Sequence, residues 1–406
     1  MYDLAAMGAW LEFAIRWLHV ITAIAWIGSS FYFIALDLGL HRDRNLPSGA
    51  DGEEWQVHGG GFYHIQKYLV APDHMPGGLI WHKWQSYSTW LSGFALLALV
   101  YYLGAEFYLI DPAVMDLARW QAVGISLASL GLGWVAYDLI CKSRFGEDNT
   151  RLMILLYVIL VAMAYFYTSV FSGRAALLHL GAFTATIMSG NVFFTIIPNQ
   201  KIVVDDLING RTPDAKYGKI AKQRSTHNNY LTLPVIFLML SNHYPLAFAS
   251  EYNWLIASLV FLMGVTIRHY FNSMHARTGQ PTWTWAVTAI LFIVIMWLST
   301  APMFRADADM AGAPEQRFAQ AEGFDHVQDI VLGRCSMCHA AEPFWDGILW
   351  PPKGVRLDDA AQIAGNARAI YLQSGLSHAM PPGNVSYMEE TERAAIRAWY
   401  DAATGG

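Results

Sequence analysis

Eight apolar runs, at about 9–37, 84–104, 120–141, 152–172, 175–198, 230–248, 252–274 and 283–303, set the strongest limit on how this chain can fold. Each approaches the roughly 20 residues that carry a helix across a bilayer. Only helices and closed barrels satisfy the backbone in lipid, and continuous rather than alternating apolar runs select helices. Charged residues make up 14% of the chain, against roughly 25% in soluble domains. The expected fold is therefore all-α, an eight-span transmembrane helical bundle. The sixth run is the weakest, because Asn242-His243-Tyr244-Pro245 interrupts it. The first reads as a span rather than a leader, since it is too long and lacks a basic front and a small-residue cleavage site. Sixteen Trp and twenty Tyr suit membrane interfaces.

Lys and Arg in the loops orient the bundle. The loops after the first, third, fifth and seventh runs hold fourteen, from Arg42 to Arg277, while those on the other side hold only Arg119 and Arg174. By the positive-inside rule the first set is cytoplasmic, so both termini face the periplasm of a bacterial inner membrane.

The character of the chain changes near residue 305. Residues 305–406 carry 8 basic and 14 acidic residues, whereas residues 1–304 carry 18 of each. The tract Arg305-Ala-Asp-Ala-Asp-Met-Ala-Gly-Ala-Pro314 reads as a linker. The expected division is a membrane domain over 1–304, a linker over 305–320 and a small C-terminal domain over 321–406.

That last domain contains Cys335-Ser-Met-Cys338-His339. The C-x-x-C-H pattern marks covalent haem c attachment, two thiols for the vinyl groups and His339 as proximal ligand. Forty-one residues on, His378-Ala-Met380-Pro-Pro-Gly383 supplies Met380 on a Pro-rich loop as sixth ligand, with His378 as the rival. Phe324, Val327, Ile330 and Val331 have helical spacing before the motif, and Ser386-Tyr-Met-Glu389 reads as a capping box opening a final helix. The domain is thus a small cytochrome c, and its acidic surface either steers a basic partner or keeps it soluble. Cys141 stands alone as a small apolar residue.

Ionisable residues inside a span are costly and so are functional candidates. His19 and His179 lie within roughly 8 Å of each other in depth by helical rise. They suit the two axial ligands of a haem b, or else each is a hydrogen-bonded core histidine. Arg16, on the face of His19, pairs with a propionate or with Glu12. An inner group comprises His82, His227, His269, His275 and Arg268, with His58, His64 and His74 in the long loop 41–83. Gln85, Asn228, Asn229 and Asn272 add amide donors. We read His82, His227, His269 and Arg268 as catalytic and the four amides as gripping a planar polar substrate, against the alternative of a polar shell facing lipid headgroups.

Four segments make the chain similar to the membrane-bound bacterial urate oxidase (urate hydroxylase) family. They are Arg16-Trp-Leu-His-Val-Ile-Thr-Ala-Ile-Ala-Trp-Ile-Gly28-Ser-Ser-Phe-Tyr-Phe33, Trp81-His-Lys-Trp-Gln85, Gly190-Asn-Val-Phe-Phe-Thr-Ile-Ile-Pro-Asn-Gln200 and Gln223-Arg-Ser-Thr-His-Asn-Asn-Tyr-Leu-Thr-Leu-Pro234. The resemblance implies hydroxylation of urate to 5-hydroxyisourate, with electrons passing to haem c and on to a downstream cytochrome or terminal oxidase. Besides urate and membrane lipids, no nucleic-acid partner is expected. The rival readings are a quinol-oxidising or electron-transfer subunit with a fused cytochrome c, a non-catalytic anchor for the cytochrome, and a transporter.

Overall fold

The structure is a computed structural model that describes residues 4–42, 45–68, 77–304, 314–346, 348 and 351–405. It is mostly helical. Helix α1 (Leu4–Gly39) leads to a hairpin of β1 (Ala50–His58) and β2 (Gly61–Tyr68). Then follow α2 (Trp84–Leu96), α3 (Ala105–Tyr108), α4 (Arg119–Lys142), α5 (Asn149–Thr168), α6 (Gly173–Gly190), α7 (Ile197–Ile208), α8 (Ala215–Ser241), α9 (Pro245–Phe248), α10 (Asn253–His275) and α11 (Trp283–Phe304). Helix α2 runs on as a π-helix through Leu97–Tyr102, and a π-helical turn at Asn191–Ile196 joins α6 to α7.

Among the described residues six helices are long and apolar enough to cross a membrane: Met7–Gly39, Arg119–Lys142, Asn149–Thr168, Gly173–Ile208, Asn253–His275 and Trp283–Thr300. The expected second and sixth spans are helical too, but they fall short in hydropathy. The cause is visible in what they bury: Ser86, Thr89 and Ser92 in α2, and Arg224, His227, Asn228 and Asn229 in α8. Polar side chains turned inward lower the average while leaving an apolar face outside.

The hairpin corrects the all-α expectation and the view of 41–83 as a loop without clear structure. Its turn is Gly59-Gly60, with φ of 58° and 82°. A two-residue hairpin turn of this kind needs positive φ at both positions, which glycine adopts without strain. Val57 pairs with Phe62 and Trp55 with His64 across it. His74 lies outside the described residues.

Helix α6 is the axis of the bundle. Twelve of its residues are buried, including Leu177, His179, Leu180, Phe183 and Ile187. Small residues let neighbours close on it. A Cβ at Gly133 would collide with the Phe183 ring, and one at Gly190 with Trp134. Ser172 caps α6 by accepting from Ala175 N, and Asp148 caps α5 by accepting from Thr150 N and Arg151 N. Pro234 sits inside α8, its ring packed against Gly264 of α10.

The C-terminal part folds around its own core of Val327, Ile330, Val331, Leu357, Ile363, Ile396, Trp399 and Tyr400. Its helices are α12 (Pro314–Ala319), α13 (Phe324–Arg334), α14 (Ser336–His339), α15 (Ala360–Gly365), α16 (Ala367–Ile370) and α17 (Glu390–Thr404). Phe318, expected in the linker, is buried here: Trp399 Nε1 donates to its carbonyl at 3.0 Å and its ring stacks on Tyr400. The final helix is capped by Glu389, whose N–H donates to Glu392 Oε2 at 2.7 Å, so it starts three residues after the expected Ser386 cap.

Candidate functional site

A polar cluster in the bundle interior is formed where α1, α8 and α10 meet. The Arg268 side chain donates through Nε to Asn229 Oδ1 at 3.3 Å and through Nη2 to Asn272 Oδ1 at 3.1 Å, and Asn272 Nδ2 donates to Asn229 Oδ1 at 2.9 Å. Its guanidinium lies 4.2 Å from the centre of the Phe31 ring. No carboxylate pairs with Arg268 among the described residues, and Asn229 Nδ2 is buried without a partner among them. A buried cation lacking a counter-ion, beside an unsatisfied amide, has the chemistry to receive an anion. One turn further along α10, a cavity of about 430 Å³ is lined by Tyr32, Glu54, Gln56, Met274, His275 and Arg277. Tyr32 donates to Gln56, which donates to Glu54, each at 2.7 Å, so the hairpin forms one wall.

The other expected substrate residues are distributed differently. Asn228 and His227 face α4 and α6 instead. Asn228 Nδ2 donates to Met188 O at 2.9 Å, Asn191 Nδ2 donates to Asn228 Oδ1 at 3.0 Å and to Tyr137 Oη at 2.9 Å, and Tyr137 lies 2.7 Å from His227 Nδ1. Arg224 covers the Tyr137 ring and pairs with Asp138 at 2.9 Å. Gln85 Nε2 donates to His82 Nδ1 at 3.3 Å, and the exposed His82 ring packs on Phe33 at 4.8 Å. His269 is exposed and turned toward Trp283, away from Arg268. In the hairpin, His64 stacks on Trp55 and bonds Glu53, and His58 is exposed at the turn.

The structure does not bring His19 and His179 together. His19 Nδ1 donates to Thr89 O at 3.0 Å on α2, with Gly93 leaving room for its ring. His179 donates from Nδ1 to Ala175 O at 2.8 Å, and its Nε2 accepts from Ser126 Oγ at 2.9 Å on α4. With both nitrogens engaged, His179 has no free lone pair for iron, so these residues do not fit a bis-His haem b. Arg16 pairs with Glu12, one of its two expected partners.

The C-x-x-C-H residues do fit haem c. Cys335 and Cys338 are free thiols, and burial pushes Cys335 up to about 12. His339 Nδ1 donates to Val355 O at 3.0 Å, which fixes the tautomer and leaves the Nε2 lone pair for an iron. Arg393, fully buried, holds the Met380 loop: its Nη1 donates to Ser374 O at 2.7 Å, Met380 O at 3.1 Å and Ser377 O at 3.2 Å. His378 is used elsewhere, 3.6 Å from Asp111 and 3.7 Å from Glu390.

That contact with Asp111 belongs to a seam. The loop after α2 packs on the Met380 loop, Phe107 meets Trp345 edge to face at 5.8 Å, and Ala379 joins the same apolar core as Tyr101, Leu109 and Ile110. Asp111 is 2% exposed. Burial alone would raise its pKa, but the nearby His378, the hydrogen bond from Ala113 N and the charge of Arg393 outweigh it and hold the carboxyl below its ordinary value.

Sequence reasoning missed Phe31, Tyr137, Asn191, Asp138 and Asp111. Asp138 was detectable as an acid inside a span; the others carry no charge or lie in a short loop.

The family model described as urate oxidase N-terminal matches residues 5–299. No curated protein and no solved structure matches the chain.

Proposed function

The chain belongs to the urate oxidase N-terminal family, and from that premise we propose that it oxidises urate at the Arg268 cluster and delivers the electrons to a haem c held by Cys335, Cys338, His339 and Met380. The observation that carries this reading is the Arg268 guanidinium, 7% exposed, stacked on Phe31 and without a carboxylate partner among the described residues. Urate is planar and anionic. A guanidinium supplies charge and paired N–H donors, the amides of Asn229 and Asn272 meet ring carbonyls and N–H groups, and Phe31 offers an apolar face. The 430 Å³ cavity beside the hairpin lies in the size range of small-molecule sites.

The reaction balances as urate plus water giving 5-hydroxyisourate, two protons and two electrons. The chain's own residues hold the ring, exclude bulk water and accept a proton. His275, on the cavity wall one turn from Asn272, is the ring we assign to the proton. When bound, haem c supplies one-electron acceptance, and Arg393 and Val355 keep Met380 and His339 in position for it. The Lys/Arg asymmetry favours a membrane orientation with the hairpin inside and the C-terminal domain outside, where a downstream cytochrome or terminal oxidase takes the electrons.

The test is turnover of the purified full-length protein in water labelled with heavy oxygen. The reading requires that urate be consumed and that 5-hydroxyisourate carry one label from water. Unlabelled product, or no consumption in the presence of an oxidised cytochrome, removes it.

A further inference from the structure

A second cavity, of about 390 Å³, lies between α4 and α5 with α6, α8 and α10 as its floor. These two helices are consecutive in sequence yet each packs on α6 rather than on the other. The gap between them therefore opens sideways, through Leu132, Ala136 and Phe166, toward the layer that lipid would occupy. Its wall is hydrocarbon and thioether apart from a few polar groups. The Ser129 hydroxyl bonds Tyr167, and the Tyr157 hydroxyl donates to Ser258 O. Urate would leave most of its polar edge unpaired against such a wall, at a cost of about 1–3 kcal/mol per group. The cavity is not a second urate site.

One buried polar group is aimed into it. His227 is 2% exposed and lines the cavity, and its Nε2 makes no hydrogen bond among the described residues. The direction of that nitrogen follows from a chain that begins at a backbone carbonyl. Met188 O can only accept, so Asn228 presents Oδ1 to Asn191. Asn191 must then donate, and it donates to both Asn228 and Tyr137. Tyr137 Oη accepts from Asn191, and we assign its own hydrogen to His227 Nδ1 at 2.7 Å. In that tautomer the hydrogen of the ring is on Nε2, so His227 offers the cavity a donor rather than a lone pair.

We propose that this cavity binds a lipid-soluble quinone, with a ring carbonyl accepting from His227 Nε2–H and the isoprenoid tail leaving between α4 and α5. The ligand must be apolar enough for the wall, flat enough for a slot between helices, and must carry an acceptor at one end. An acyl chain lacks the acceptor. A haem iron needs the lone pair that the hydrogen-bond chain removes from Nε2. This site does not depend on the urate assignment.

The test uses the purified full-length protein in detergent and a ubiquinone with a short saturated tail, with an alkylbenzene of the same tail as control probe. Titration calorimetry should give saturable one-to-one binding of the quinone and none of the alkylbenzene. His227→Phe keeps the ring and removes the donor, and should weaken binding about tenfold, the equivalent of one hydrogen bond. Ala136→Trp, on the exposed face of α4, should fill the mouth and abolish binding without disturbing the core. Gel filtration and the haem c spectrum report that both variants remain folded. Equal binding of quinone and alkylbenzene, unchanged affinity in both variants, or no saturable binding overturns the proposal. So does a b-type haem band in the purified protein that His227→Phe removes.

Discussion

Gly383 stands against the backbone carbonyl of Phe107, at a φ of 57° that glycine tolerates and other residues resist, and a Cβ there would collide with that oxygen. Through this contact the loop bearing Met380 rests on the end of the bundle formed by the α2–α3 turn. For the electron path proposed above, this packed contact is a point of entry into the C-terminal domain. Gly383→Ala adds the collision to a left-handed penalty of about 1–2 kcal/mol. Stopped-flow reduction of the haem by urate should slow at least tenfold, while dithionite still reduces all of it. Unchanged urate-driven rates would remove the seam from the electron route.

Arg393 acts on the same loop from beneath. Its guanidinium ties Ser374, Ser377 and Met380 carbonyls together from a fully buried position. Removing a buried hub of this kind leaves three acceptors unsatisfied, each worth about 1–3 kcal/mol. Arg393→Met should lower the thermal midpoint of the C-terminal domain and weaken the charge-transfer band of Met-ligated ferric haem. Retention of that band at full intensity would show that the loop holds its shape without Arg393.

The seam should also respond to acid. Burial opposes ionisation of Asp111, yet the ion-pair contact with His378, the Ala113 hydrogen bond and the neighbouring charge of Arg393 hold its pKa below the ordinary value. Glu390 faces the other side of His378. A depressed carboxyl contributes to docking above its free pKa of about 3.9, and that contribution is lost as the pH falls through the docked value. The protection of amides at residues 105–113, taken relative to intrinsic exchange at each pH, should therefore fall below about pH 4, and Asp111→Asn should show the lower protection already at neutral pH. Identical exchange in both proteins across the range would contradict this.

Much of the helical architecture was legible because apolar run length is a local signal. The α13 face of Phe324, Val327, Ile330 and Val331 follows directly from spacing, and all four are buried. The hairpin was missed although Gly59-Gly60 between paired segments is a turn signal. The inner histidines were over-assigned because depth says nothing about rotation about the helix axis. His269 and Arg268 are adjacent, yet one faces Trp283 outside and the other Phe31 inside. Asn228 and Asn229 diverge in the same way, into separate networks. The pairing of His19 with His179 failed for the same reason, since each ring turns to a different neighbouring helix.

Arg268 is the residue on which substrate recognition should depend most. Charge-assisted hydrogen bonds contribute about 1.5–3 kcal/mol, so Arg268→Gln should reduce kcat/KM for urate about 10- to 100-fold, mostly through KM. His269→Ala, on the opposite face, should leave it within about twofold. Similar losses in both would mean that the inner surface as a whole, rather than the Arg268 cluster, carries the activity.

The central claim is that urate is the electron donor to the C-terminal haem of the same chain. The direct measurement is the visible spectrum of the purified, oxidised protein under anaerobic conditions after urate is added. The account predicts growth of the reduced haem c bands with two haems reduced per urate consumed. Bands that stay oxidised with urate but become reduced with a quinol would contradict it.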